Sequence, residues 1–179
     1  MENQDLFDNE IIGLDSNVLV DLVNSIEFRN DLKAEIMFDK SILYTTEVAL
    51  SEARNVLIKK KNYSKEDATK RLLEILREFN IEKVEHVESS NKIAREWFDK
   101  VRKEMIIGKF STFYNDCKIL ANLYNQKKIN VYYTEDKDIK KAVEVIGIKL
   151  KVRIISEATN LSDKKVSKFF KEKHSSFHR

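Results

Sequence analysis

Proline is absent from the 179 residues, glycine occurs only as Gly13, Gly108 and Gly147, and cysteine only as Cys117. With so few breakers, regular elements joined by short polar turns are expected. A single cysteine excludes an intramolecular disulfide and a cysteine-based zinc cluster, which agrees with a reducing compartment, and Cys117 itself reads as a small buried side chain. No apolar run approaches the roughly 18 residues of a membrane-spanning helix, and Met1-Glu2-Asn3-Gln4-Asp5 lacks the basic start of a signal peptide. The expectation is a cytoplasmic protein with no membrane association. Excess charge of one sign is missing too: 33 basic residues against 30 acidic ones leave +3, so affinity for nucleic acid would have to come from a local patch.

What is present suits one domain with a decoration, since 42% of residues are hydrophobic and 35% charged. Ile11-Ile12-Gly13-Leu14 reads as a strand ending at Asp15, followed by helical spacing from Val18 to Ile26. A helix over 32–38, a strand over 41–45 and a helix over 47–60 come next. Ser64 with Asp67 resembles a capping box for a helix ending near Asn80. A strand is expected over 84–87, then a helix capped by Ser89 or Ser90 and carrying Ile93, Trp97, Val101 and Met105. After a connection over 110–115, Asp116 is expected to open another helix. A strand over 128–133, a helix closed by Gly147 and a strand over 151–155 complete the pattern. Strands alternating with helices, without hairpin turns, imply parallel βαβ units and an α/β/α sandwich. We divide the chain into a domain over 1–156 and a basic tail or helix over 157–179.

In such a sheet ligands bind outside the carboxyl ends of the strands, where Asp15 and Asp136 fall. Glu52 shares a helical face with Ala49, Ala53 and Val56, and Asp116 shares one with Ile119, Leu120 and Leu123. Carboxylates on packed faces need compensation, because desolvating an unpaired ion costs several kcal/mol. Buried salt bridges with Arg54, Lys59 or Lys118 would supply it, and helix capping would account for Asp116 and Asp136. Alternatively all four acids share one site whose repulsion a divalent cation relieves. Oxygen ligands without a Cys or His cluster favour Mg²⁺ or Mn²⁺ over zinc.

The segments Ile11-Ile12-Gly13-Leu14-Asp15-Ser16-Asn17, Ser51-Glu52-Ala53, Asn115-Asp116-Cys117-Lys118-Ile119 and Thr134-Glu135-Asp136-Lys137-Asp138 resemble the motifs of the PIN-domain family, in order and setting, over about residues 10–155. The resemblance implies a three-layer α/β/α sandwich around a parallel sheet and an Mg²⁺- or Mn²⁺-dependent endoribonuclease. Asp15, Glu52, Asp116 and Asp136 would take the catalytic and metal positions, with Asp138 as a fifth acid and Ser16, Asn17 and Thr134 in support. Cations would activate water for in-line hydrolysis of RNA. Either a toxin with an antitoxin partner or an RNA-processing enzyme fits, as a monomer or homodimer; the alternative is a PIN-like RNA- or protein-binding module that does not cut. Glu47 lies near the motif acid but off the apolar stripe. The tail's Lys164, Lys165, Lys168, Lys171 and Lys173, interleaved with Phe169 and Phe170, suit either phosphate tracking or helix packing, and His174 and His178 read as solvated.

Overall fold

A computed structural model describes residues 10–39, 41–106 and 110–155, with side chains left out of account at 35–39 and 110–111. The tail over 157–179, with its lysines, phenylalanines and histidines, lies outside the described residues. In chain order the elements are β1 (Ile11–Leu14), α1 (Ser16–Asn24), α2 (Ile26–Asp39), β2 (Ile42–Thr46), α3 (Glu47–Lys61), α4 (Lys65–Glu78), β3 (Glu82–Val84), α5 (Glu88–Glu104), α6 (Phe110–Lys127), β4 (Val131–Thr134), α7 (Lys137–Ile146) and β5 (Lys151–Ile154). The strands form one parallel sheet in the order β3-β2-β1-β4-β5. From β1 the chain winds outward through β2 to β3, then returns to β4 and winds the other way to β5. Right-handed crossovers therefore place α1 to α4 on one face and α5 to α7 on the other, giving the three-layer α/β/α sandwich. No described helix is long and apolar enough to cross a membrane.

The reversal makes the β1–β4 boundary the topological switch point, and in such sheets ligands bind at the strands' carboxyl ends beside it. Beneath it the core is nearly continuous: Ile12, Leu14, Leu19, Leu43, Leu57, Ile119, Leu120, Leu123 and Ile139 are all buried. Gly13 is needed for close approach rather than for its backbone. A β-carbon there would stand 2.8 Å from Ile129 Cδ1 and 3.0 Å from Leu123 Cδ1 and Tyr132 Cδ2, so the bare backbone admits α6 and the Tyr132 ring against β1.

Several expected boundaries move. The run Val18–Ile26 is broken at Ser25, whose hydroxyl accepts from the Phe28 amide at 3.0 Å and so starts α2, leaving Ile26 mostly exposed. The strand expected over 84–87 sits at Glu82–Val84, on an edge where polar residues blur the pattern. Neither Ser89 nor Ser90 caps α5, which begins at Glu88 after Val87 without a side-chain cap. Residues 110–115 are helix, not a connection, so Asp116 lies in the second turn of α6 rather than opening it. Ser64 does cap α4, its hydroxyl accepting from the Asp67 amide at 3.0 Å and donating to the Asp67 carboxylate at 2.7 Å. Gly147 ends α7 in the left-handed region at φ 80°.

Candidate active site

Asp15 follows β1, its amide still in the ladder through a 3.1 Å bond to the Tyr133 carbonyl, and its carboxylate turns to cap α1. It is 1% exposed. Oδ1 accepts from the Ser16 amide at 2.7 Å, and Oδ2 from the Thr134 hydroxyl at 2.6 Å and Asn17 Nδ2 at 3.4 Å. Thr134 ends β4 and also accepts from the Asp136 amide at 3.0 Å, while Asn17 Oδ1 accepts from the Glu135 amide at 3.2 Å. The turn after β4 is thus stitched to the start of α1. These donors favour the Asp15 anion, but burial outweighs them and raises its pKa.

Glu52, half-buried on α3, accepts from Asn115 Nδ2 of α6 at 2.9 Å. Burial raises its pKa first, and Asp15 adds to the rise; the Asn115 and Ser16 bonds and the Lys118 charge oppose it. Asp116 is pushed up to about 8, by burial and then by the charges of Asp15, Glu52 and Asp136. Four acids from three elements and a turn therefore act on one another across the switch point. Asp136 also caps α7, accepting from the Asp138 amide at 2.8 Å, so for this residue the capping role and the cluster coexist.

No salt bridge among the described residues involves Asp15, Glu52 or Asp116, which removes buried ion pairing as their explanation. Lys118 instead lies over the Tyr114 ring at 4.7 Å. Capping fails for Asp116 as well, since it is inside a helix. Of two other acids, Glu47 is exposed and paired with Lys83 at 2.7 Å, while Asp138 faces Lys141 at 3.9 Å and its amide donates to Asp136 Oδ1 at 2.8 Å.

Three residues in or beside the cluster were not legible as such in the sequence. Asn115 appears in the motif text without a role, yet it holds Glu52. Asp21, one helical turn beyond Asn17, is raised to about 7 by burial and by its contact with Glu135. Tyr132 is buried, and its hydroxyl is acted on by Asp15, Asp116 and Glu52.

The donor set is hard oxygen throughout, which suits Mg²⁺ or Mn²⁺. Among the described residues no three acidic, histidine or cysteine side chains converge to enclose a metal ion. Mg²⁺ does not require that: it retains several waters and is commonly held by one or two carboxylates. The residues fit such a cation.

The PIN domain family model matches residues 12–145, a span that contains the whole cluster. No curated protein sequence matches the chain. Among solved structures the chain is similar to VapBC2 from Rickettsia felis, bound to a DNA fragment from its promoter, with TM-score 0.59 and 19% identity over 80% of this chain and 98% of that one. It is also similar to VapC20 from Mycobacterium tuberculosis, described as a sarcin-ricin loop cleaving toxin, with TM-score 0.52 and 18% identity over 78% and 98% of the two chains. A FitAB complex with a DNA fragment gives TM-score 0.52 and 17% identity over 80% and 94%. At these identities the likeness is one of fold. With the family model matching most of its length and a fold similar to these structures, the chain belongs to the PIN domain family.

Proposed function

We propose that the protein is a metal-dependent endoribonuclease that hydrolyses RNA phosphodiester bonds at the Asp15, Glu52, Asp116 and Asp136 cluster. The observation that carries this is Asp116: a carboxyl on α6 beside buried Cys117, Ile119 and Leu120, pushed up to about 8 by burial and three other acids, with no ion-pair partner among the described residues. Structural ion pairs do not look like this; acids clustered without a neutralising partner mark a site suited to positive charge. A bound Mg²⁺ or Mn²⁺ supplies Lewis-acid activation of water and neutralises charge on the phosphate.

Asp15 is the fixed anchor, since donors on both oxygens leave it little freedom. Glu52 and Asp116 face it from α3 and α6, and Asp136 approaches from the turn that Thr134 and Asn17 hold. Asp116, held protonated below about pH 8 by burial and its neighbouring acids, would give up that proton to solvent were a divalent cation held beside it. Ser16, Asn17, Thr134 and Asn115 keep the acids oriented, and Asp138 stays at the rim.

The structural neighbours include a protein described as a sarcin-ricin loop cleaving toxin and two named complexes bound to DNA. These support RNA as substrate and the toxin of a toxin–antitoxin pair as the role, with RNA processing as the other use of the same chemistry. The test is cleavage of single-stranded RNA with Mn²⁺, with EDTA, and by Asp15→Asn and Asp116→Asn. Loss by orders of magnitude in EDTA and in both folded variants is expected; a parent that binds RNA but never cuts it supports the non-catalytic module.

A further inference from the structure

Tyr132 occupies an unusual place. In the parallel register it pairs with Gly13, and its ring lies against that residue, 3.0 Å from where a β-carbon would be. Strand side chains alternate, so Gly13 and Asp15 share a face, and two residues of extended chain advance about 6.6 Å. A phenol lying over Gly13 is long enough to span that advance, and its hydroxyl interacts with the Asp15 carboxylate. The side chain is 0% exposed, and the hydroxyl has no partner at full hydrogen-bond geometry among the described residues.

The groups that act on this hydroxyl are Asp15, Asp116 and Glu52, all of them acceptors when ionised. Of these three acids, Asp15 is the one the hydroxyl reaches as a donor. Packing alone does not call for the oxygen: a phenylalanine would fill the same space over Gly13 without desolvating a polar atom.

We propose that Tyr132 is a positioning residue of the cation site, its hydroxyl directed at Asp15 so that this carboxylate is held, with Ser16, Thr134 and Asn17, in the orientation that receives a divalent cation. This rests on the metal-dependent reading of the cluster and adds a residue to it. Outer partners of metal-binding carboxylates typically alter affinity about 10- to 100-fold when removed.

The experiment is Mn²⁺ titration by calorimetry of the full chain and of Tyr132→Phe, beside metal-free thermal unfolding of each. The expected result is a variant that melts at or above the parent temperature without metal yet binds Mn²⁺ about tenfold more weakly. Equal Mn²⁺ affinity in a folded variant overturns the proposal and makes Tyr132 a packing residue, while leaving the metal reading intact. A parent that binds no Mn²⁺ overturns the metal reading and this proposal with it. Should Tyr132→Phe not fold, Mg²⁺ titration of the parent followed through the Tyr132 ring resonances decides: a shift saturating with binding supports the role, and still resonances while the cluster's backbone signals move refute it.

Discussion

Asparagine at position 116 separates the accounts of these acids through stability alone, before any substrate is needed. With its pKa raised to about 8 from the ordinary 3.8, Asp116 holds a proton in the folded state that the unfolded chain gives up between about pH 4 and 8. The folded state binds more protons in that window, so metal-free stability is greatest at its acid end and falls as pH rises through it. One group of this kind contributes a slope of about 1.4 kcal/mol per pH unit, so the loss from pH 6 to 8 is roughly 2 kcal/mol, about 4–8 °C in Tm. Asp15 and Glu52, also raised, tilt stability the same way. Asp116→Asn is a permanently neutral side chain of the same size, so its melting temperature in EDTA should depend on pH less steeply by that amount. Thermal unfolding of parent and variant at pH 6 and pH 8 measures the difference. Parallel curves would refute the reasoning, as would a variant weakened by roughly 3–5 kcal/mol at both pH values, the signature of a stranded buried cation.

Other substitutions follow from the same contacts. Thr134→Val removes the 2.6 Å donor to Asp15 and the acceptor for the Asp136 amide, and should cost about 2 kcal/mol in denaturant unfolding and weaken Mn²⁺ binding measured by calorimetry. Gly13→Ala drives a methyl group against Ile129, Leu123 and Tyr132 and should destabilise by about 1–3 kcal/mol in the same assay, with no loss if the ring and helix can retreat. Glu47→Gln should leave thermal unfolding and RNA cleavage unchanged while Glu52→Gln abolishes cleavage; the reverse outcome would exchange the two in the motif.

The sequence made much of this legible because its signals were local. Ile11–Leu14 and Val131–Thr134 are apolar runs flanked by polar turns, and Glu52 stands out because Ala49 and Ala53 mark its helix face as buried. The start of α6 was hidden by Gly108, Ser111 and Thr112, which resemble a loop, and by an Asp116 that resembles a cap; packing against α5 overrides those preferences. Likewise Ser25 is a weak break until its hydroxyl is seen to cap α2. Tyr132 lay beyond local reading altogether, since its relation to Asp15 depends on the β1–β4 register, which joins segments more than 100 residues apart. The same holds for Asn115 and Glu52, 63 positions apart and joined by one hydrogen bond.

The central claim is that the acid cluster, through a divalent cation, hydrolyses RNA with water as the nucleophile. A water nucleophile leaves linear phosphate ends and makes no use of the neighbouring 2′-hydroxyl, whereas attack by that hydroxyl leaves 2′,3′-cyclic phosphates and needs no metal. End-group analysis of a labelled single-stranded RNA, cut by the parent with Mn²⁺, with EDTA, and by Asp15→Asn, is therefore the most direct measurement. The account predicts linear phosphate ends with Mn²⁺ and no cutting in the other two reactions; cyclic phosphate ends that persist in EDTA or with Asp15→Asn would contradict it.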